Sequence, residues 1–390
     1  MPRDGNRQAT LVTPETAIDQ TLLAGRLARN LAFWERRPTD RPLLGVAVNV
    51  TFPALTFGGQ PLSEGCLTPD RIEPRQFLAE WDETHRRCDA RGEDLLTAAS
   101  PHPGVPWMEA IAGCQIRASP ASGSIWAEHA NPDWDSLGQI RFDPHQPWLL
   151  RLLECTRQLR QHAAGRYPVA NPILRGISDI AAALLGTQRM VFEFYDHPDR
   201  MRDLLARCAD IWKGVGARLV EAMGHFEGGM CAGRRRAWTP GSCILYQDDA
   251  VSLLSPRLYQ DFLVPLEDAI LRCFDRTMIH VHSGTLPIMM DGLLALGSLH
   301  AVEVLLDPGG KPLSDLLPLF RRIQARKALL ICGDMSLADL RLLRQALSPA
   351  GLCLLPKVNS EDEADVLFER LLVLWGEDTP TQRAAIGSHG

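Results

Sequence analysis

Met278-Ile-His-Val-His282, Ala301-Val-Glu-Val-Leu-Leu306 and Ala328-Leu-Leu-Ile-Cys332 decide the fold. Each is an apolar run of strand length without polar–apolar alternation, the pattern of a strand covered on both faces in a parallel sheet. Helical periodicity fills the intervals, over Leu286–Leu296 and Leu313–Ala325. The same rhythm extends outward, with a strand at Ser242–Gln247 and a helix at Pro256–Phe274 on one side. On the other side come a helix at Leu337–Ala346, a strand at Leu352–Pro356 and a helix at Glu361–Leu374. Such alternation calls for a parallel sheet with crossover helices. Five consecutive units in a chain of 390 residues favour a closed barrel over an open sheet. No Gly-x-Gly-x-x-Gly turn follows any strand, which removes the usual dinucleotide reading. The expected fold is α/β, a single (β/α)8 TIM barrel.

The first half fits the same frame. A helix is predicted over Thr21–Arg37, stopping before Pro38, and leads to a strand-length run at Leu43–Val50. Residues 51–75, rich in Gly, Pro, Thr and Ser, read as a long loop, and Pro74–Ala90 reads as an amphipathic helix. Residues 1–20 and 377–390 are unpatterned and predicted loose, which leaves 21–376 as one barrel domain with an N-terminal helix and long active-site loops. Lys plus Arg number 41 against 47 Asp plus Glu, for a net charge of −6. That balance argues against a nucleic-acid or anionic-lipid partner, since both need a basic face. No run approaches the roughly 20 apolar residues of a membrane span. The start, Met1-Pro-Arg-Asp-Gly-Asn-Arg-Gln, has no apolar signal core, so a cytoplasmic location is expected. The ten cysteines are scattered singly, which fits neither a disulfide framework nor a zinc ribbon.

In a barrel of this kind, function sits where strands end and loops begin. Five successive strand ends carry ionisable or ligating groups: Tyr246-Gln-Asp-Asp249, His280-Val-His282, Glu303, Cys332-Gly-Asp334 and Lys357-Val-Asn359. Residues two apart on a strand share a face, so His280 and His282 can address one point. With Glu303 and Cys332 they form a candidate metal-ligand set, because zinc accepts nitrogen, sulfur and carboxylate oxygen. The other reading is a metal-free polar pocket in which the histidines bond to Asp249 or Glu303. A carboxylate inside an apolar strand is costly unless paired or functional, which marks Glu303 as a pocket residue. Asp249, His280, His282 and Glu303 are the candidate catalytic groups. Arg234 and Arg236, beside Trp238, are candidates for holding an anionic substrate, since guanidinium forks suit carboxylates and phosphates.

The order of features resembles the uroporphyrinogen decarboxylase superfamily, which includes cobalamin- and coenzyme-M-linked methyltransferases. The matching segments are Arg41-Pro-Leu-Leu-Gly-Val, Gly104-Val-Pro-Trp-Met-Glu-Ala-Ile-Ala-Gly-Cys114, Gly176-Ile-Ser-Asp-Ile-Ala-Ala-Ala-Leu-Leu-Gly186 and Phe194-Tyr-Asp-His-Pro198. They continue with Asp248-Asp-Ala-Val-Ser-Leu-Leu-Ser-Pro256, then Tyr259, Phe262 and Pro265, and finally His280-Val-His-Ser-Gly284. The resemblance spans residues 30–375 and implies a single (β/α)8 barrel. Two departures shape what it implies. The family's arginine-rich element after the first strand is replaced by Val48-Asn-Val-Thr-Phe-Pro53, which argues against uroporphyrinogen as the substrate. The family's zinc motif His-x-Cys-Gly reads His280-x-His282-Ser-Gly, and the last strand has Cys353 within it, with Lys357 where the further ligand would be expected.

The first function this implies is methyl transfer or demethylation between a small methylated substrate and a corrinoid or thiol acceptor. Zinc on His280, His282, Glu303 and Cys332 would assist, and a partner protein would carry the corrinoid. The alternative is a cofactor-free decarboxylase of uroporphyrinogen or another carboxylated ring, with Arg175, Arg234 and Arg236 holding carboxylates. A third reading is a protein that only binds a corrinoid or porphyrin, with Trp107 and Trp126 near the rim of its cavity. Tyr246, Asp334 and Lys357 complete the expected substrate contacts. A homodimer is the assembly the resemblance implies.

Overall fold

The computed structural model describes residues 20–48, 56–57, 60–61, 64–73, 78–102, 104–233 and 237–376. The two end segments expected to be loose lie outside that range, apart from Gln20, which begins the first helix. Seven strands form one parallel sheet: β1 Leu43–Leu44, β2 Ala47–Val48, β3 Cys243–Gln247, β4 Arg276–His282, β5 Ala301–Leu306, β6 Ala328–Gly333 and β7 Leu352–Val358. Their order is β1-β7-β6-β5-β4-β3, and β2 pairs with β7 beyond β1. Each successive pair from β3 to β7 is joined by crossover helices, the arrangement that lets parallel neighbours follow one another in sequence. The result is an α/β, TIM-barrel-like fold.

Among the described residues the regular ladder does not close on itself. Between its ends lie two extended segments held by separate hydrogen bonds. Asp94 N–H donates to Leu44 O (3.1 Å), and Ala99 exchanges bonds with the next segment through Pro168 O (3.0 Å) and Ala170 N–H (2.8 Å). Asn171 then grips Leu245 of β3, accepting from its N–H (3.2 Å) and donating to its carbonyl (3.0 Å), and Arg175 bridges Gln247. These contacts bring Arg175 beside β3.

The apolar runs behave as their pattern requires. Ile279, Val302, Val304, Leu329 and Ile331 are buried between sheet and helices, each such side chain contributing about 1.5–3 kcal/mol. On the other face the register sets Gln247, His280, Glu303, Leu330 and Cys353 side by side. Because side chains alternate, His282, Cys332 and Lys357 share that face.

Two features depart from the sequence reading. The helix expected over Pro256–Phe274 is broken into Pro256–Leu258, a π-turn at Tyr259–Leu263 and Val264–Leu271. Pro265 has no N–H for the carbonyl four residues back, so the helix widens there. That carbonyl, Asp261 O, accepts from Arg202 instead (3.3 Å). Within the segment read as a long loop, Gly65–Leu67 pairs with Ile116–Ser119, which pairs with Ser124–Ala127, making a small antiparallel sheet. Three or four residues are too few to show a period. No helix among the described residues is long and apolar enough to cross a membrane, and no disulfide joins the cysteines.

Candidate active site

His280 is 2% exposed and its Nδ1 lies 2.7 Å from Glu303 Oε2. His282 lies further out, with Nδ1 2.5 Å from Asp307 Oδ1. The two rings stand at 89° with centroids 5.1 Å apart. Where Nδ1 carries the proton and the carboxylate accepts it, Nε2 is the nitrogen able to ligate. Asp249 meets them from the end of β3, with Oδ1 3.9 Å from His282 Nε2. One ligand atom from each of Asp249, His280 and His282 lies within 4.8 Å of those from the other two. This donor set fits a divalent metal such as zinc, whose histidine ligands characteristically hand their second ring nitrogen to a carboxylate.

The close set differs from the one expected from sequence. Glu303 stands behind His280, and the Cys332 thiol stands behind Glu303, donating to Oε1 at 2.7 Å. Their place is taken by Asp249, which the sequence reading assigned to orienting a histidine.

Asp249 owes its position to a reciprocal clamp. The helix Ile177–Leu185 begins against the turn after β3, and each side supplies a carboxylate to the other's backbone. Asp248 accepts from Ser178 N–H (3.1 Å), Asp179 N–H (3.2 Å) and the Ser178 hydroxyl. Asp179 accepts from Asp249 N–H (2.9 Å) and Ala250 N–H (2.9 Å). Gly176 makes this approach feasible, because a Cβ there would run into the Asp248 carboxyl. Burial, reinforced by Asp248, Asp249 and Glu109, pushes the Asp179 carboxyl well above its ordinary range. Gln247 completes the hold, donating to Asp249 Oδ2 at 2.7 Å.

A solved structure titled "methyltransferase from Methanosarcina mazei" is similar to this chain with a TM-score of 0.64 and 13% identity, covering 90% of this chain and 98% of that one. At that identity the likeness shows the fold alone. No protein-family model and no curated protein sequence matches the chain.

The remaining expected site residues divide cleanly. Arg175 stands beside Gln247 at the end of β3; it donates to Glu109 Oε1 (3.0 Å), and its side chain is 43% exposed. Burial raises the Glu109 carboxyl above its ordinary range, with Arg175 opposing. Lys357 is half-buried near the end of β7, opposite Ala47, on the same inward face as His282. Asp334 is exposed just past Gly333. Tyr246 is fully buried and spends its hydroxyl on Asp248 Oδ2 and Ile177 N–H (3.1 Å each), so it supports the clamp. Trp107 is likewise a core residue, its Nε1 donating to His102 O (2.9 Å) and its ring packed on Trp148. Trp126 lies on the antiparallel sheet and is exposed. Arg234 and Arg236 fall outside the described residues.

Sequence reasoning missed Asp307, Gln247, Asp179 and Glu109. Asp307 carried a usable signal, since it follows Glu303 by four residues and so has the same strand parity. Burial opposes its ionisation, yet bonds from His282, Gly284 N–H and Ser283 hold its carboxyl below the usual range. Asp179 and Glu109 sit in helical segments, where nothing local distinguishes them from solvated acids.

Proposed function

We propose that the chain is a metal-assisted methyltransferase, moving a methyl group between a small methylated substrate or corrinoid and a thiol acceptor. The observation that carries this reading is the pair of imidazoles, each held at Nδ1 by its own carboxylate and facing Asp249. His280, His282 and Asp249 would hold a zinc ion, which when bound lowers a thiol's pKa and makes it nucleophilic at neutral pH. The protein's own groups do the rest. Glu303 and Asp307 fix the two histidine tautomers, and the Asp179 clamp fixes Asp249. Arg175, anchored on Glu109, offers the remaining edge of its guanidinium to an acidic group on the substrate. The buried walls contributed by β4 to β7 exclude water from the developing thiolate. The fold of the Methanosarcina mazei methyltransferase supports this reading in general terms.

The test uses protein purified without chelator. About one equivalent of zinc is expected, falling to a tenth or less in His280→Ala, His282→Ala and Asp249→Asn. Methylcobalamin and 2-mercaptoethanol serve as probes: the cobalt–carbon bond breaks with its electron pair left on cobalt, while a carbon–sulfur bond forms. Absorbance of the reduced corrinoid, under anaerobic conditions, follows the reaction. Wild-type levels of metal in all three variants would remove the assignment. Carbon dioxide release from uroporphyrinogen by metal-free protein would favour the decarboxylase alternative instead, with Arg175 on a substrate carboxylate.

A further inference from the structure

The helices Leu78–Arg91 and Pro147–Ala163 run into two of the extended barrel segments, near Asp94 and Pro168. Their last turns therefore lie at the end of the barrel opposite the strand ends that carry His280 and His282. A recess open to solvent on one side lies there, against the first helix, Gln20–Trp34. Arg26, His85, Asp89, Thr97 and Arg166 border it, with apolar side chains for the rest of its wall. Its enclosed part holds about one water-sized group. Among the described residues, Arg26 Nε, His85 Nδ1 and Thr97 Oγ1 are buried polar atoms without a hydrogen-bond partner. Arg26 is 5% exposed and Thr97 3%. Each such group left unpaired costs free energy, so three around one recess call for an occupant.

The other polar atoms of these groups are spent. Arg26 Nη1 pairs with Asp89 Oδ1 (2.5 Å) and Nη2 with Cys88 O (3.5 Å), while His85 Nε2 lies 3.5 Å from Asp89 Oδ2. Arg166 gives its guanidinium to Ala163 O, His162 O and Asp82 Oδ1. Asp82 also accepts from the Tyr167 hydroxyl (2.8 Å) and meets His162 Nε2 (2.8 Å); the Tyr167 ring packs on His85, centroids 4.9 Å apart. Arg26 Nε–H can only donate, so the occupant must present an acceptor. With Nε2–H toward Asp89, His85 Nδ1 is an acceptor in the neutral ring and a donor in the charged one. Burial opposes that charge; Asp89 and Asp82 favour it, and Arg166 and Arg26 add to the opposition. The two arginines balance the two aspartates, so a proton on His85 adds a positive charge for which the wall of the recess holds no further carboxylate. An anion supplies the missing partner. We propose that the recess binds a small monovalent oxyanion, a short carboxylate, one oxygen of which accepts from Arg26 Nε–H and the Thr97 hydroxyl while His85, taking up a proton, donates from Nδ1. Bound there, the anion ties the first helix to the two that follow, and it does so independently of the proposed metal site.

The experiment titrates formate, as the probe, into the full chain labelled with nitrogen-15 histidine, in buffer free of chloride and other carboxylates. The His85 signals are assigned by their loss in His85→Phe, which keeps a ring on Tyr167. Formate is expected to shift those signals saturably and to drive them toward the charged imidazole. Its affinity should fall about 10-fold for each pH unit above the titration of His85, because each anion brings one proton with it. Thr97→Val exchanges the hydroxyl for a methyl of the same shape and should weaken formate about 10-fold or more. Without formate that variant should unfold at no lower temperature than wild type, since the group it removes has no partner to lose. Thr97→Ala takes its place should the valine fail to fold. His85 signals indifferent to formate at every pH would leave an ordered water as the only occupant and overturn the proposal. An affinity that does not change with pH overturns it too, and so does an affinity unchanged by loss of the Thr97 hydroxyl.

Discussion

Asp307 takes three donors at once: His282 Nδ1, the Ser283 hydroxyl (2.9 Å) and Gly284 N–H (2.9 Å). That arrangement fixes one imidazole against one acid, and a residue with so local a task should fail locally. Asp307→Ala should lower cobalt affinity and methyl transfer about 10–100-fold with the circular dichroism spectrum unchanged, and Asp307→Asn, still an acceptor, should lose less. Equal activity in Asp307→Ala would show that His282 needs no such support. Arg175 poses the complementary case. Removing it as Arg175→Met leaves Glu109 buried without its cation, and because Arg175 is partly exposed the loss should be about 1–2 kcal/mol rather than the larger figure for a fully buried pair. Adding Glu109→Gln should recover most of the lost thermal stability, since no charge then remains to be desolvated. Single residues were also where the sequence spoke most unevenly. His280, His282 and Glu303 announced themselves through strand parity and an acid in an apolar run. The distinction between a group at the cavity and a group behind it depends on side-chain rotamers, to which parity is blind, so Glu303 and Cys332 read as equals of the histidines.

At the scale of elements, the parallel strands from β3 to β7 were legible because each buried both faces and left an unbroken apolar signature. The first strand was less so: Gly45 and Val46 interrupt it between β1 and β2. The missing strands of the ring are extended segments tied by isolated bridges and the Asn171 side chain, which carry no periodicity to read. The meeting of the Ile177–Leu185 helix with the turn after β3 was equally silent, though it sets the position of Asp249. Its test is Gly176→Ala. The added methyl collides with the Asp248 carboxyl and must separate helix from turn, an overpacking cost of about 1–3 kcal/mol. Thermal unfolding should report that loss, and cobalt affinity should fall with it because Asp249 N–H is released from Asp179. A variant that loses stability but keeps full metal affinity would show that Asp249 is placed by Gln247 and the strand end alone.

The whole molecule carries buried acids in two groups with opposite responses to pH. Glu267 is fully buried, accepts from the Tyr259 hydroxyl at 2.7 Å, and is pushed up to about 7 by burial. Asp248 is pushed up to about 7 by burial and by the charge of Glu267, and Asp179 and Glu109 are raised in the same direction. A carboxyl whose pKa is higher folded than unfolded stabilises the fold fully below its unfolded value. That contribution is lost as pH rises through the folded value, so this group favours the acid side and is spent near neutrality. Asp82, Asp268, Asp275 and Asp307 are shifted the other way, and their contribution disappears only as pH falls below the ordinary carboxylate range. Between the two windows the protein should be most stable, at about pH 5, with the thermal midpoint falling several degrees by about pH 8. Glu267→Gln separates the causes. It removes one titrating group and the repulsion that raises Asp248, while the amide still accepts from Tyr259. The variant should match wild type at about pH 5 and exceed it at about pH 8, on the order of a few kcal/mol, so that its midpoint-against-pH curve is flatter. A curve parallel to that of wild type would mean that Glu267 does not titrate in this range, and that the alkaline loss comes from the carboxylates around Asp249.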